Sequence, residues 1–283
     1  MCFQALVPKE TVSNSRRDMS QRRYALAWED ILSGLRMWRL AATLGWTDIR
    51  LRYRGSVLGP FWLTLSALIM IASMGVIYAR LFHMVLRDYL PFLSLSLALW
   101  QVGLSSLLTE SCTCFVEAEG TIHAMKLPYT LHAIRLLVRN LIVFAHSIIV
   151  PIGVFVLYGV WPGLISLAAL PGLVLWALNG YAACLLLGAF CARFRDITSV
   201  VGAFMQIAFY VTPIIWQPSQ LGPRGRYLIF NPFYDLLELV RGPILGLLPG
   251  LDVITVSCGV SLVWCLLGFL TFVRTRERLA FWV

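Results

Sequence analysis

Charge is scarce in this sequence. Asp, Glu, Lys and Arg make up 13% of its 283 residues while apolar residues make up 59%; a typical soluble domain carries about 25% charged residues. A water-soluble globule of that composition could not cover its surface, so the chain reads as a polytopic membrane protein. Lysine is rarer still, with only Lys9 and Lys126. A phosphate-cradling P-loop needs Lys followed by Ser or Thr after a glycine-rich turn. Lys9 precedes Glu10 and Lys126 precedes Leu127, which excludes that nucleotide site and places any ATP handling in another subunit. Neither an HExxH nor a GxSxG pattern occurs, and Glu110, Glu117 and Glu119 are the only close acidic group. A membrane-embedded glycosyl- or phosphotransferase would need clustered carboxylates or histidines. Repeated intramembrane charges are also missing, which argues weakly against an ion channel and leaves a passive scaffold as a third class. The seven cysteines are an odd number, and no His stands at ligand spacing from Cys112 and Cys114. They read as small buried apolar residues, and no metal site is expected.

What is present is length of apolar run. About 20 apolar residues cross a hydrocarbon core roughly 30 Å thick. Six stretches qualify: Val57 to Phe82, Tyr89 to Thr109, Leu136 to Tyr158, Leu164 to Cys191, Ile197 to Trp216 and Leu251 to Val273. The expected fold is therefore all-α and integral to the membrane. Residues 1–30 are expected to form a basic extension, 31–56 an amphipathic helix and 57–283 the six-span transmembrane domain. Six spans put both termini on one side. That side carries eighteen Lys and Arg, the other only Arg80, Arg87, Arg224, Arg226 and Arg241. Positive charge is retained in the cytoplasm, so both termini are expected there. Met1 to Ala27 lacks the continuous apolar region of a cleavable signal peptide.

Three segments between the spans are patterned. From Ile31 to Tyr53, the side chains Leu35, Trp38, Ala42, Trp46, Ile49 and Tyr53 fall in one helical arc with Arg36, Arg39, Arg50 and Arg54 along its flank, which is the pattern of an interfacial helix. Phe115 to Leu131 is a cytoplasmic stretch punctuated by Gly120 and Pro128. In the long external connection, Asn231 is a sound N-cap and Pro232 a sound first helical residue. The helix they open is too short to cross and reads as reentrant, with Asp235, Glu238 and Arg241 sharing one face.

The run from Trp46 to Trp62 (WTDIRLRYRGSVLGPFW) resembles the membrane subunits of type-2 ABC transporters that export polysaccharide. Lys126-Leu127-Pro128, the stretch Arg139 to His146, and the run from Asn231 to Gly246 agree in order. The resemblance covers roughly Trp28 to Val273. It implies a homodimeric permease in the bacterial inner membrane, bound to two copies of an ABC ATPase that carries the ATP and Mg2+. This chain itself would hold no cofactor and no nucleic acid. The implied cargo is undecaprenyl-diphosphate-linked O-antigen, with capsular polysaccharide or teichoic acid as alternatives. The helix before the first span corresponds to the family's interface helix. The segment with Glu117, His123, Lys126, Leu127 and Pro128 corresponds to its ATPase-coupling helix, and Asn231, Pro232, Tyr234, Asp235, Glu238 and Arg241 lie in its external gate helices. The extension from Met1 to about Tyr24 departs from the family pattern.

A glycan conduit needs hydrogen-bonding groups and aromatic faces rather than fixed charge. Trp62, Trp100, Phe144, Tyr181, Tyr210 and Trp216 are candidates, and Asn140 and His146 are polar groups that seek a partner or a cavity in hydrocarbon. Arg50, Arg52 and Arg54 are placed to attract a lipid diphosphate, because the planar guanidinium pairs with phosphate oxygens bidentately.

Overall fold

Helix formation along this chain is set largely by where proline and lipid-length apolar runs fall, and the computed structural model follows both. It describes residues 9–56, 59, 61–81 and 83–283, with side chains from residue 21 onward except Leu63. The described residues are helical throughout, with no strand. In chain order the α-helices are α1 Lys9–Arg36, α2 Trp38–Arg52, α3 Phe61–Leu81, α4 Leu86–Ala98, α5 Ser106–Thr113, α6 Glu119–Ala124, α7 Tyr129–Ser147 and α8 Ile149–Tyr158. They continue with α9 Ala169–Ala183, α10 Ala189–Arg193, α11 Asp196–Val211, α12 Pro232–Ile244 and α13 Leu251–Trp282. A π-helical turn joins α4 to α5 and another joins α9 to α10.

Five helical stretches among the described residues are long and apolar enough to cross a membrane: Thr64–Leu81, Leu86–Thr113, Tyr129–Tyr158, Leu164–Arg193 and Leu251–Trp282. The expected fifth span, Ile197 to Trp216, is represented by α11, whose 16 residues reach only about 24 Å at 1.5 Å per residue. It ends early because Thr212, which precedes Pro213, is extended at ψ 138°, as the residue before a proline prefers. The outer limits expected for the first span, Val57 and Phe82, lie outside the described residues, as does Cys2. Of the other cysteines, Cys112, Cys114, Cys184 and Cys191 are buried free thiols, while Cys258 is exposed on α13.

The expected boundary at residue 30 falls inside a continuous helix. α1 runs unbroken to Arg36, and the break comes at Met37. The expected apolar arc of the interface helix is divided, with Ile49 buried and Trp38 and Trp46 exposed. Ala41, Gly45 and Ile49 are the buried line of α2, whereas Leu35, Trp38 and Trp46 are exposed. Small residues win the protein-facing side because the backbones come close. A Cβ on Gly45 would stand 2.8 Å from the Arg135 carbonyl oxygen, and one on Gly34 would run into Thr130 Oγ1. The large aromatics are left facing outward, where a headgroup region suits them.

α7 opens with Pro128 at its N-cap, a residue with no side-chain acceptor. The missing cap comes from α1: Asp30 Oδ1 accepts from Thr130 N at 3.1 Å and from Thr130 Oγ1 at 3.0 Å. Asp30 Oδ2 accepts from Arg276 Nε of α13 at 2.9 Å. One buried carboxylate thus ties α1, α7 and α13 together and sets the N-terminal helix and the C-terminal helix end at the same end of the bundle. The core has two tiers. One is built on Tyr89, Leu93, Trp100, Trp176 and Leu237. The other, nearer that shared end, is built on Phe115, Leu136, Leu185, Phe272 and Leu279.

Asp30→Ala removes a helix cap and strands Arg276, and is expected to cost about 1–3 kcal/mol. Thermal unfolding in detergent micelles reads this out, with Asp30→Asn losing less because it keeps a capping oxygen. Equal midpoints for Asp30→Ala and the parent would contradict the capping role.

Candidate functional site at the two polar ends of the bundle

Removing charge from water is costly unless each charged group finds a partner, and this chain meets that cost at both ends. At the end shared by α1 and the close of α13, Arg135 of α7 grips Asp48 of α2, with Nε to Oδ2 at 2.6 Å. One turn on, Arg139 is 6% exposed. Its Nη1 donates to Glu117 at 2.9 Å and its Nη2 to Glu110 at 2.8 Å. Glu110 also accepts from Asn140 Nδ2 at 2.9 Å and from Arg52 Nη1 at 3.3 Å. Ser106 Oγ then donates to Asn140 Oδ1 at 2.9 Å. These contacts join α2, α5, α7 and the segment leading to α6 in one ion and hydrogen-bond network. They explain how α7 begins seven residues before the apolar stretch expected from Leu136: the arginines of its first turns are neutralised within the protein.

The segment from Phe115 to Leu131 is placed as follows. Glu117 is committed to Arg139 and to Thr113 Oγ1 at 2.7 Å. His123 stands on α6, 3.4 Å from the Val283 carbonyl oxygen. Lys126 is exposed, and Leu127 and Pro128 are half-buried just before α7. The segment borders a cleft of about 610 Å³ whose other walls include Glu29, Ser33 and Arg276. Arg50, Arg52 and Arg54 are all exposed, but Arg52 already pairs with Glu110.

The conduit candidates are not brought together on one surface. Trp100 is 2% exposed and packs between the rings of Phe209 and Phe233. Asn140 is bound up in the inner network. His146 Nε2 is 2.9 Å from Thr64 Oγ1, and its ring stands edge-on to Phe61. Tyr181 has a buried hydroxyl without a hydrogen-bond partner among the described residues. Trp62 and Tyr210 are exposed, and Trp216 Nε1 donates to the Tyr210 carbonyl at 3.3 Å. Phe144, with Asn140, lines an apolar cavity of about 170 Å³ against Trp176.

At the opposite end, α12 starts as the sequence indicated. Asn231 Oδ1 accepts from Phe233 N at 3.0 Å and Tyr234 N at 3.4 Å, while its Nδ2 donates to Thr212 Oγ1 at 3.0 Å. Pro232 occupies the first turn. Asp235, Glu238 and Arg241 do share a face, yet that face is turned inward. Arg241 is 1% and Asp235 0% exposed. Arg241 Nε reaches Glu238 Oε2 at 3.0 Å, and its Nη1 reaches Ser96 Oγ at 3.1 Å and the Pro213 carbonyl at 2.6 Å. Its guanidinium lies 4.6 Å from the centre of the Phe92 ring. The helix is buried on several sides because α9 and α13 both pack on it, while Tyr234 and Glu238 stay partly exposed. Sequence reasoning missed Asp30 and the inward turn of this face, because the partners lie far away in the chain.

Neither carboxylate oxygen of Asp235 has a hydrogen-bond partner among the described residues. Burial pushes its carboxyl up to about 7, with Asp252 and Glu238 adding to the rise. A carboxyl raised in the folded state contributes stability that is complete below the ordinary carboxylate range and is lost as pH climbs through about 7. The parent protein is therefore expected to lose thermal stability between pH 5 and 8, and Asp235→Asn to be flatter over the same window. Identical slopes in the two proteins would contradict this assignment.

With this geometry in view, the comparisons with known proteins fit. The ABC-2 type transporter family matches residues 39–245, most of the chain, and the chain belongs to that family. It is similar to the O-antigen export system permease protein RfbA of Myxococcus xanthus, 25% identical over 67% of this chain and 74% of the relative. It is also similar to proteins of that name from Klebsiella pneumoniae. One is 23% and another 22% identical, each over 82% of this chain and 90% of the relative. The chain is a multi-pass membrane subunit of an ABC exporter, a class in which a separate ATPase supplies the energy and the permease subunit is not itself the enzyme.

Proposed function

We propose that the chain exports polysaccharide joined to undecaprenyl diphosphate, of the O-antigen type, across the bacterial inner membrane. The observation that carries this reading is the similarity to O-antigen export permeases across 82% of the chain. In this reading two copies pair as a homodimer with two ATPase subunits, and α11 completes a six-span topology with both termini in the cytoplasm. The eighteen-to-five division of basic residues supports that orientation.

The inner end supplies the working parts. The exposed segment around His123 and Lys126 meets the ATPase, and Glu117 passes its movement to Arg139 and hence to α7. Arg50 and Arg54 receive the lipid diphosphate, while Arg52 is held by Glu110. α12, pinned through Arg241 and capped by Asn231, gates the outer end. Trp62 and Tyr210 are exposed aromatics available to a glycan pathway formed between two copies. Capsular polysaccharide or teichoic acid would use the same parts.

Deleting the chain in its native cell is expected to remove one glycan from the cell surface while its diphosphate-linked precursor accumulates inside. Restoring the parent chain should reverse both changes. Restoring Arg50→Lys/Arg54→Lys should bring back membrane insertion with export reduced about tenfold, since a charged hydrogen bond nets about 1.5–3 kcal/mol. A surface glycan unchanged by the deletion would refute the export reading. Full export by the double Lys variant would reduce these arginines to topology signals.

A further inference from the structure

The outer end contains a cavity of about 530 Å³ that the export cycle described above does not use. Its walls come from four parts of the chain: Arg87 and Asp88 at the start of α4, Tyr158 at the end of α8, Gln217 beyond α11, and Tyr234 and Glu238 on α12. Phe92 and Pro91 add apolar surface. The volume lies within the range of about 300–1,000 Å³ typical of small-molecule sites.

The lining selects a chemical class. Arg87, Asp88, Glu238 and Arg241 contribute two charges of each sign, so the cavity offers no excess positive potential to a phosphate. Its hydroxyl, amide and carboxylate groups would leave an acyl chain facing unpaired polar atoms, which is costly. A neutral polyol with apolar C–H faces suits both features: hydroxyls meet the planar polar side chains, and ring faces lie on Tyr158, Tyr234 or Phe92. The floor is already ordered. Arg241 spends its donors on Glu238 Oε2, Ser96 and the Pro213 carbonyl. Glu238 is thereby fixed through one oxygen, and its Oε1 carries no hydrogen bond among the described residues. A fixed carboxylate oxygen at the wall of a cavity is an acceptor oriented before any ligand arrives.

We propose that this cavity is a saccharide-binding site that holds roughly one or two neutral sugar rings of the emerging chain against α12. Tyr234 and Glu238 place the ligand directly on that helix, so occupancy stabilises the position of α12 that forms the wall. The proposal rests on the glycan-export reading and gives it a contact point within a single subunit.

The test is photocrosslinking in the native, exporting cell. Tyr158→p-benzoylphenylalanine and Tyr234→p-benzoylphenylalanine place the probe in the cavity. Leu157→p-benzoylphenylalanine, at a position 81% exposed, places it outside. Carbohydrate staining of the purified chain reads the adduct. The two cavity positions are expected to yield several-fold more glycan adduct than Leu157, and adding Glu238→Gln, which leaves Arg241 an acceptor but removes the free one, should lower the yield about fivefold. Continued export without adduct at either cavity position would overturn the site and leave the export reading standing, as would equal yield at Leu157. Adducts containing phospholipid instead of sugar would overturn it in favour of lipid. If a probe blocks export, saturation-transfer NMR of the cell's own glycan fragments on the full chain in nanodiscs decides instead. A transfer signal that disappears in Glu238→Gln supports the site, and a signal of parental strength in that variant overturns it.

Discussion

A guanidinium that is almost completely buried has to be answered by carboxylates, and Arg139 is answered by two of them at 2.9 Å or less. That constraint organises the end of the bundle where α2 meets α7. Glu110 is drawn from α5, Glu117 from the segment ahead of α6, and Asp48 approaches at 4.0 Å from α2. Leaving Arg139 without any of these partners would strand a buried charge at a cost of about 3–5 kcal/mol, so the elements that carry them are held in register with α7. α2, α5, the segment leading to α6 and α7 are therefore tied into one unit.

The outer end repeats the same logic with one arginine. Arg241 holds α12 to Ser96 of α4 and to the Pro213 carbonyl just beyond α11. Asp235 on the same helix is buried with neither hydrogen bond nor ion pair among the described residues. α12 thus carries one satisfied and one unsatisfied charge-bearing group within two turns. A helix balanced in this way is seated firmly by its arginine and weakened by its aspartate.

Much of this architecture was legible in the sequence because its causes are local. Apolar run length marks the five long crossings. Asn231-Pro232 marks the start of α12, whereas the fifth span expected to run to Trp216 stops at Val211, ahead of Pro213. Residues whose roles depend on distant partners were not legible. Asp30 is 100 positions from Thr130 and 246 from Arg276, and nothing near it announces a cap for another helix. The apolar arc of α2 was legible, but the close packing of Ala41 and Gly45 was not, since it depends on the backbone of α7 far away in the chain. Asn140 and His146 were expected to seek a partner or a cavity, and each has an interhelical partner, Glu110 for Asn140 and Thr64 for His146. A sequence shows which groups must be satisfied; only the fold shows by what.

The most direct measurement of the central claim is the ratio of glycan exported to ATP hydrolysed by the complete permease and ATPase complex in proteoliposomes. It should be compared for the parent, Arg139→Gln, Glu117→Gln and the double variant. If Arg139 transmits the movement of the cytoplasmic segment, each single variant hydrolyses ATP with reduced export. The double variant should then be no worse than either alone, because contacting residues couple non-additively by about 0.5–3 kcal/mol. A parental ratio in the folded Arg139→Gln protein would contradict the account.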